Sequence, residues 1–123
     1  MKENREKYNL EDRTAKFSCD IIDFLRKLKK DIVTTPIISQ LVRSATSIGA
    51  NYCEANGASS KKDFKNKVYI CKKEAKETKY WLQMISKASP NDAQECRKLW
   101  KEAHELTMIF SKIIITIEKP KVN

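Results

Sequence analysis

Apolar residues recur along this chain in alternating steps of three and four. The first such stripe reads Leu10, Thr14, Phe17, Ile21, Phe24, Leu28, and the second Ile37, Leu41, Ala45, Ile48, Tyr52, Ala55. The third is Phe64, Val68, Cys71, Ala75, Thr78, Leu82, Ile85, and the fourth Cys96, Trp100, Ala103, Leu106, Phe110, Ile113, Ile117. That period places each set on one side of an α-helix. Breakers separate the stripes: the Asp31 to Pro36 region, the Asn56-Gly57-Ala58-Ser59-Ser60 run, and Ser89-Pro90-Asn91. The spacing predicts helices over 12–30, 36–56, 60–88 and 91–119.

End signals agree with these bounds. Thr35-Pro36 reads as an N-cap with proline at the first helical position, where its missing N–H costs nothing. Gly57 suits a left-handed stop for the second helix. Ser60 is placed to cap the third helix, Ser89 or Asn91 the fourth, and Pro120 follows the last. The run Ile113-Ile114-Ile115-Thr116-Ile117 favours a strand by propensity, yet a lone strand has no partner in a chain without other strand signals. The reading is therefore all-α: one domain over 1–123, an antiparallel up-down-up-down four-helix bundle. The first ten or so residues are charged, have little to bury, and are expected to fray.

Only two glycines and three prolines occur in 123 residues, too few for a turn-rich β fold or a low-complexity segment. No apolar run approaches the roughly 18 residues of a membrane-crossing helix, so no membrane is expected. The opening Met-Lys-Glu-Asn-Arg-Glu-Lys has no apolar segment behind its charges and does not read as a secretory leader. Cysteines at 19, 53, 71 and 96 form no CxxC pair; reduced thiols in a cytoplasmic protein are the simplest account.

Charge changes the picture more. Twenty-five basic against sixteen acidic residues leave +9, which biases the surface toward polyanions. The excess is uneven: residues 61–90 carry nine basic and three acidic side chains, whereas 31–60 carry one and two. Between 36 and 57 the charged residues are Arg43 and Glu54 alone, among small side chains such as Ser44, Ala45, Ser47, Gly49 and Ala50. A surface helix normally has a polar half. This one reads as covered by another subunit, unless its small polar residues simply meet water.

On the third helix the lysines segregate. With Lys65 as zero and about 100° per residue, Lys72 lies near −20°, Lys76 near +20°, Lys61 and Lys79 near −40°, and Tyr69 near +40°. Asp63, Glu74 and Glu77 project to the other side. Like charges repeating at i,i+4 repel one another, and a bound polyanion relieves that repulsion while releasing counterions. Lysine runs also serve solubility alone, so the stripe leaves both readings open. Opposite it, Glu74 and Glu77 fall beside Ile70 and Trp81 among residues that read as buried. A carboxylate there needs a partner: Arg43, Asn51 or a neighbouring subunit's helix N-terminus, with the Trp81 indole joining.

Catalytic constellations are missing from the pattern. The single histidine, His104, completes no Glu-x-x-His motif for a di-metal bundle, and reads as a surface residue. Two glycines build no phosphate loop. Three of the cysteines, Cys19, Cys71 and Cys96, lie on or beside apolar stripes and read as small core residues; Cys53 is the exception, with no base near it. No enzyme activity, metal or cofactor is expected.

The string Gln40-Leu41-Val42-Arg43-Ser44-Ala45, then Ser47-Ile48-Gly49-Ala50-Asn51-Tyr52-Cys53-Glu54-Ala55, resembles the four-helix-bundle family of 23S rRNA intervening-sequence proteins. Asp63-Phe64 and Lys73-Glu74-Ala75-Lys76-Glu77-Thr78-Lys79-Tyr80-Trp81-Leu82 fit its third helix, and the likeness spans about 14–117. Gly49 stands where proline is frequent, and Ala55-Asn56 displace the usual Glu-Gly. The resemblance implies ring-like homopentamers. It also implies kinship with the accessory variability determinant of diversity-generating retroelements, a basic barrel that associates with a reverse transcriptase and nucleic acid. Asn51, Glu54, Glu74, Glu77 and Trp81 are then structural or interface residues, and Arg43 is ambiguous between that role and nucleic-acid contact. The combined expectation is a basic oligomer that holds RNA or DNA phosphates through Lys61, Lys65, Tyr69, Lys72, Lys76, Lys79 and Arg43. The alternative is a protein-binding scaffold ring with no direct nucleic-acid role.

Overall fold

The structure, a computed structural model, describes residues 9–120. Four long helices make up the chain: α1 (Leu10–Lys27), α2 (Thr34–Asn56), α3 (Lys61–Ala88) and α4 (Ala93–Glu118), with a short 3₁₀ turn at Pro90–Asp92 before the last. No strand occurs among the described residues, and the isoleucine run near 113–117 is helical. Cross-helix bonds fix an antiparallel order. The Asn56 amide donates to Glu11, Lys67 to Glu54, and Lys65 pairs with Glu118. Each links the start of one helix to the end of its neighbour.

The apolar stripes meet in one core. Phe17, Ile21, Leu41, Ile48, Val68, Leu82, Ile85, Leu106 and Phe110 are fully buried. Polar residues inside it are satisfied locally. Thr14 donates to the Leu10 carbonyl, and Thr78 to the Glu74 carbonyl and, across the α2–α3 seam, to Ser44 Oγ at 2.9 Å. Packing is uneven. α3 lies against both α2 and α4, whereas α1 leans on α2 and barely meets α4. A forked ion pair, Arg13 Nε and Nη2 on the two Glu102 oxygens at 2.7 and 2.8 Å, ties α1 to α4.

Several ends differ from expectation. Of the stretch expected to fray, residues 1–8 lie outside the described residues. Asn9 and Leu10 belong to the fold: the Asn9 side chain accepts from Asp12 N and caps α1, and Leu10 is buried. α1 stops at Lys27 rather than near 30, because Leu28 turns extended and the Lys30 ammonium folds back onto the carbonyls of Leu25 and Leu28, both at 3.0 Å. The cap of α2 is Asp31 rather than Thr35: its Oδ1 accepts from Val33 N and Thr34 N at 2.9 and 2.8 Å. Pro36 still sits in the first turn, where its missing donor is harmless. Gly57 ends α2 with φ −97° and not in the left-handed region. Ser60 caps α3 as read, accepting from Asp63 N at 3.0 Å.

Gly49 lies where α2 approaches α1. A Cβ there would stand 3.4 Å from the Thr14 carbonyl oxygen, an ordinary contact. Glycine inside a helix costs about 0.5–1 kcal/mol relative to alanine. Gly49→Ala is therefore expected to raise stability by about that amount in urea denaturation, whereas Gly49→Leu should lower it by pushing the helices apart.

Candidate nucleic-acid interface

The lysines of α3 stand about 90° from its buried stripe, on the flank turned toward α4. Lys61 and Lys76 are exposed and Lys72 is half-buried, and none of the three forms an ion pair among the described residues. The rest of the stripe is engaged across the seam. Lys65 Nζ lies 3.8 Å from Glu118, and the Tyr69 hydroxyl donates to the same carboxylate at 2.6 Å. Lys79 donates to His104 Nδ1 at 3.0 Å and lies over the Trp100 ring, which is stacked on His104. The ridge is thus free of carboxylates on its own helix but not across the α3–α4 seam. A wheel drawn for one helix cannot show what its neighbour contributes.

Arg43 does not belong to the ridge. It lies on α2, on the opposite flank of α3, where Nη1 reaches Glu74 at 3.2 Å and Nη2 reaches Glu77. The Trp81 indole donates to Glu77 at 2.8 Å. That hydrogen bond, with Arg43 adding to it, holds the Glu77 carboxyl below its ordinary range against the opposing effect of burial. The two glutamates thus find their partner within the chain. Asn51 does not reach them; it bonds to Ser47 within α2. Glu54 is exposed and takes the Lys67 ammonium at 2.6 Å.

A second row of cations lies on α4. Arg97, Lys101, Lys112 and Lys119 are exposed and project outward, and none forms an ion pair among the described residues. The α4 carboxylates Glu95, Glu102 and Glu105 turn the other way, toward α1, where Glu102 and Glu105 receive Arg13. Beside the ridge, this row makes most of the α3–α4 face basic, with Glu118 the carboxylate between them. Met108 (59% exposed) and Ile115 (68%) lie within it. Residues 91–123 are nearly balanced in charge, six basic against five acidic, so a segment count conceals the row. Drawn for α4, the wheel that exposed the α3 stripe gathers the row but sets Glu105 within it, about 20° from Lys112, and only the bond to Arg13 draws that carboxylate aside.

Two of the thiols, Cys71 and Cys96, are buried. Burial pushes Cys71 up to about 12 and Cys96 up to about 11, away from the thiolate form. Cys19, read as a core residue, is exposed, as is Cys53. No cluster of three or more metal-ligating side chains occurs among the described residues, and no helix there is long and apolar enough to cross a membrane.

Comparison with known proteins decides the kinship. A sequence profile of the 23S rRNA-intervening sequence protein family matches residues 6–112. The chain belongs to that family. Among solved structures, it is similar to a protein of unknown function of the S23 ribosomal protein family from Bacteroides thetaiotaomicron VPI-5482. The TM-score is 0.75 at 30% identity, covering 85% of this chain and 96% of the other. No curated protein matches the sequence. Within this family member, the departures at Ala55 and Asn56 leave α2 intact to Asn56, with Gly57 just beyond it.

Proposed function

We propose that this 23S rRNA-intervening sequence protein is a non-enzymatic nucleic-acid-binding protein of the cytoplasm. Its α3–α4 face grips RNA or DNA by the phosphates, without reading bases. The observation that carries this reading is the distribution of charge on two adjacent helices: cations outward on both, with Glu74 and Glu77 taken by Arg43, Glu102 and Glu105 by Arg13, and Glu118 the carboxylate that faces the α3–α4 seam. Sorting on one helix is common on solvated surfaces. On two neighbours it makes a continuous positive field, and a polyanion that binds there releases counterions. Tyr69 is committed to Glu118, so base stacking contributes little. The protein acts as a homo-oligomer, a pentamer by resemblance to its relatives, and serves beside a reverse transcriptase or an rRNA-borne element. The sparsely charged outward side of α2, where Ser39, Ala50 and Cys53 are exposed and Arg43 and Glu54 are the charges, supports a subunit contact.

Replacing Lys61, Lys72 and Lys76 together by glutamine should lower the slope of log affinity against log salt by roughly 2–3 units, in titrations of a labelled RNA. An unchanged slope and affinity would reject the reading. Light scattering tests the assembly: a strictly monomeric particle of 14.3 kDa overturns it.

A further inference from the structure

Away from the basic face, the turn between α1 and α2 displays two adjacent aliphatic side chains. Ile32 is 90% exposed and Val33 57%. The turn is built rather than loose: Asp31 Oδ1 accepts from Val33 N and Thr34 N, the Thr34 hydroxyl donates to the Lys29 carbonyl, and Thr34 is buried. Burying either aliphatic would stabilise it, so their exposure is unexplained within a single subunit.

The apolar surface does not end at the turn. Beside it, between α1 and α2, runs a cleft of about 310 Å³ lined by Ile22, Leu25, Ile38 and Val42, with Arg26 and Lys30 at its edge. Ile22 stands roughly 9 Å down α1 from the turn, so the strip descends the flank of the bundle. A flat lipid surface could meet the tip but not the flank. A third helix laid along the groove between two helices meets both.

Charge narrows the occupant. Lys30 rests on backbone carbonyls and Asp31 on backbone amides, and both keep their charge. With the exposed Arg26 and Lys29 the rim carries three cations against one carboxylate, and α2 adds no charge here, only Thr35, Ser39 and Thr46. We infer that the α1–α2 groove and the Ile32–Val33 turn form a docking site for an acidic amphipathic helix of a partner protein. Two or three aliphatic anchors of that helix fill the groove, and its carboxylates meet Arg26 and Lys29. The site lies apart from the α3–α4 face and does not depend on it, so one protein would join a protein partner to a polyanion.

The test uses a fluorescein-labelled helical peptide with leucines on one face and glutamates on both flanks, and a twin with lysines in place of the glutamates. Fluorescence anisotropy should show the glutamate peptide bound and the lysine twin not. Ile32→Ser with Val33→Ser, exposed positions whose loss leaves the core intact, should weaken binding about tenfold or more. Arg26→Glu with Lys29→Glu should reverse the preference toward the lysine twin. Equal binding of both peptides, binding of neither, or indifference to the serine pair overturns the inference. So does a fall in the particle mass of the serine variant by light scattering, which would assign the groove to a second copy.

Discussion

Reversing three charges on α4, at Arg97, Lys101 and Lys112, is expected to weaken RNA binding on the order of 100-fold at low salt. All three are exposed and unpaired among the described residues, so the fold should survive while the net charge falls from +9 to +3. Each reversal removes a phosphate contact and adds a repulsion, which is why the effect should exceed that of the three neutral glutamines on α3. The loss should shrink steadily as salt rises, because exposed charges are screened. Reversing Lys16 and Lys27 on α1 and Lys29 just beyond it changes net charge equally and provides the control. Should that variant lose as much affinity in the same anisotropy titration, total charge and not the α3–α4 face governs binding.

Removing Arg43 should cost more stability than any other single surface change. The Glu74 side chain is only 10% exposed, and Arg43 is its one ion-pair partner among the described residues. Arg43→Met leaves that buried carboxylate without a counter-charge. Breaking a fully buried pair costs about 3–5 kcal/mol, and because the Arg43 side chain is 45% exposed the expected loss here is about 2–3 kcal/mol. Adding Glu74→Gln should restore part of it by removing the stranded charge. The sign with pH follows from Glu77, whose folded carboxyl lies below its unfolded value. Its contribution is present above an unfolded pKa of about 4.3 and fades as pH falls through the lower folded one. The gap between wild type and Arg43→Met, measured by urea denaturation, should therefore narrow in acid.

The helices were legible because periodic burial is written into each stripe: Phe17, Leu41, Val68 and Phe110 all stand where a period of 3.6 places them, and all are buried. Helix ends were less so. Thr35-Pro36 and Asp31 both offer caps, and the choice between them depends on Lys30 folding back to finish α1, an interaction between ends that no local window contains. Cys19 misled for a different reason. It is a neighbour of Phe17 and Ile21 in sequence only: two residues from each, it lies about 160–200° round the helix from them and is exposed. At the candidate site, the α3 stripe was readable from its own helix. The engagement of Lys65, Tyr69 and Lys79 was not, since Glu118 and His104 are about fifty and twenty-five residues away in sequence. Trp81 and Arg43 were the foreseeable partners of the glutamates, because α2 and α3 are consecutive and antiparallel, which brings such residues side by side.

The turning of Glu95, Glu102 and Glu105 toward α1, while Arg97, Lys101 and Lys112 point away, has an effect beyond the residues themselves. It leaves the α1–α4 groove close to neutral, since Arg13, Lys16, Lys27 and Lys98 stand there beside Asp20, Asp23, Glu95 and Glu102, and so places the excess positive charge off-centre, toward the α3–α4 side. A body polarised in this way experiences a torque in the field of any negatively charged polymer, and rotates before it touches. Its orientation on arrival is selected during diffusion, with the long axis free to lie along the polymer and the α3–α4 side leading.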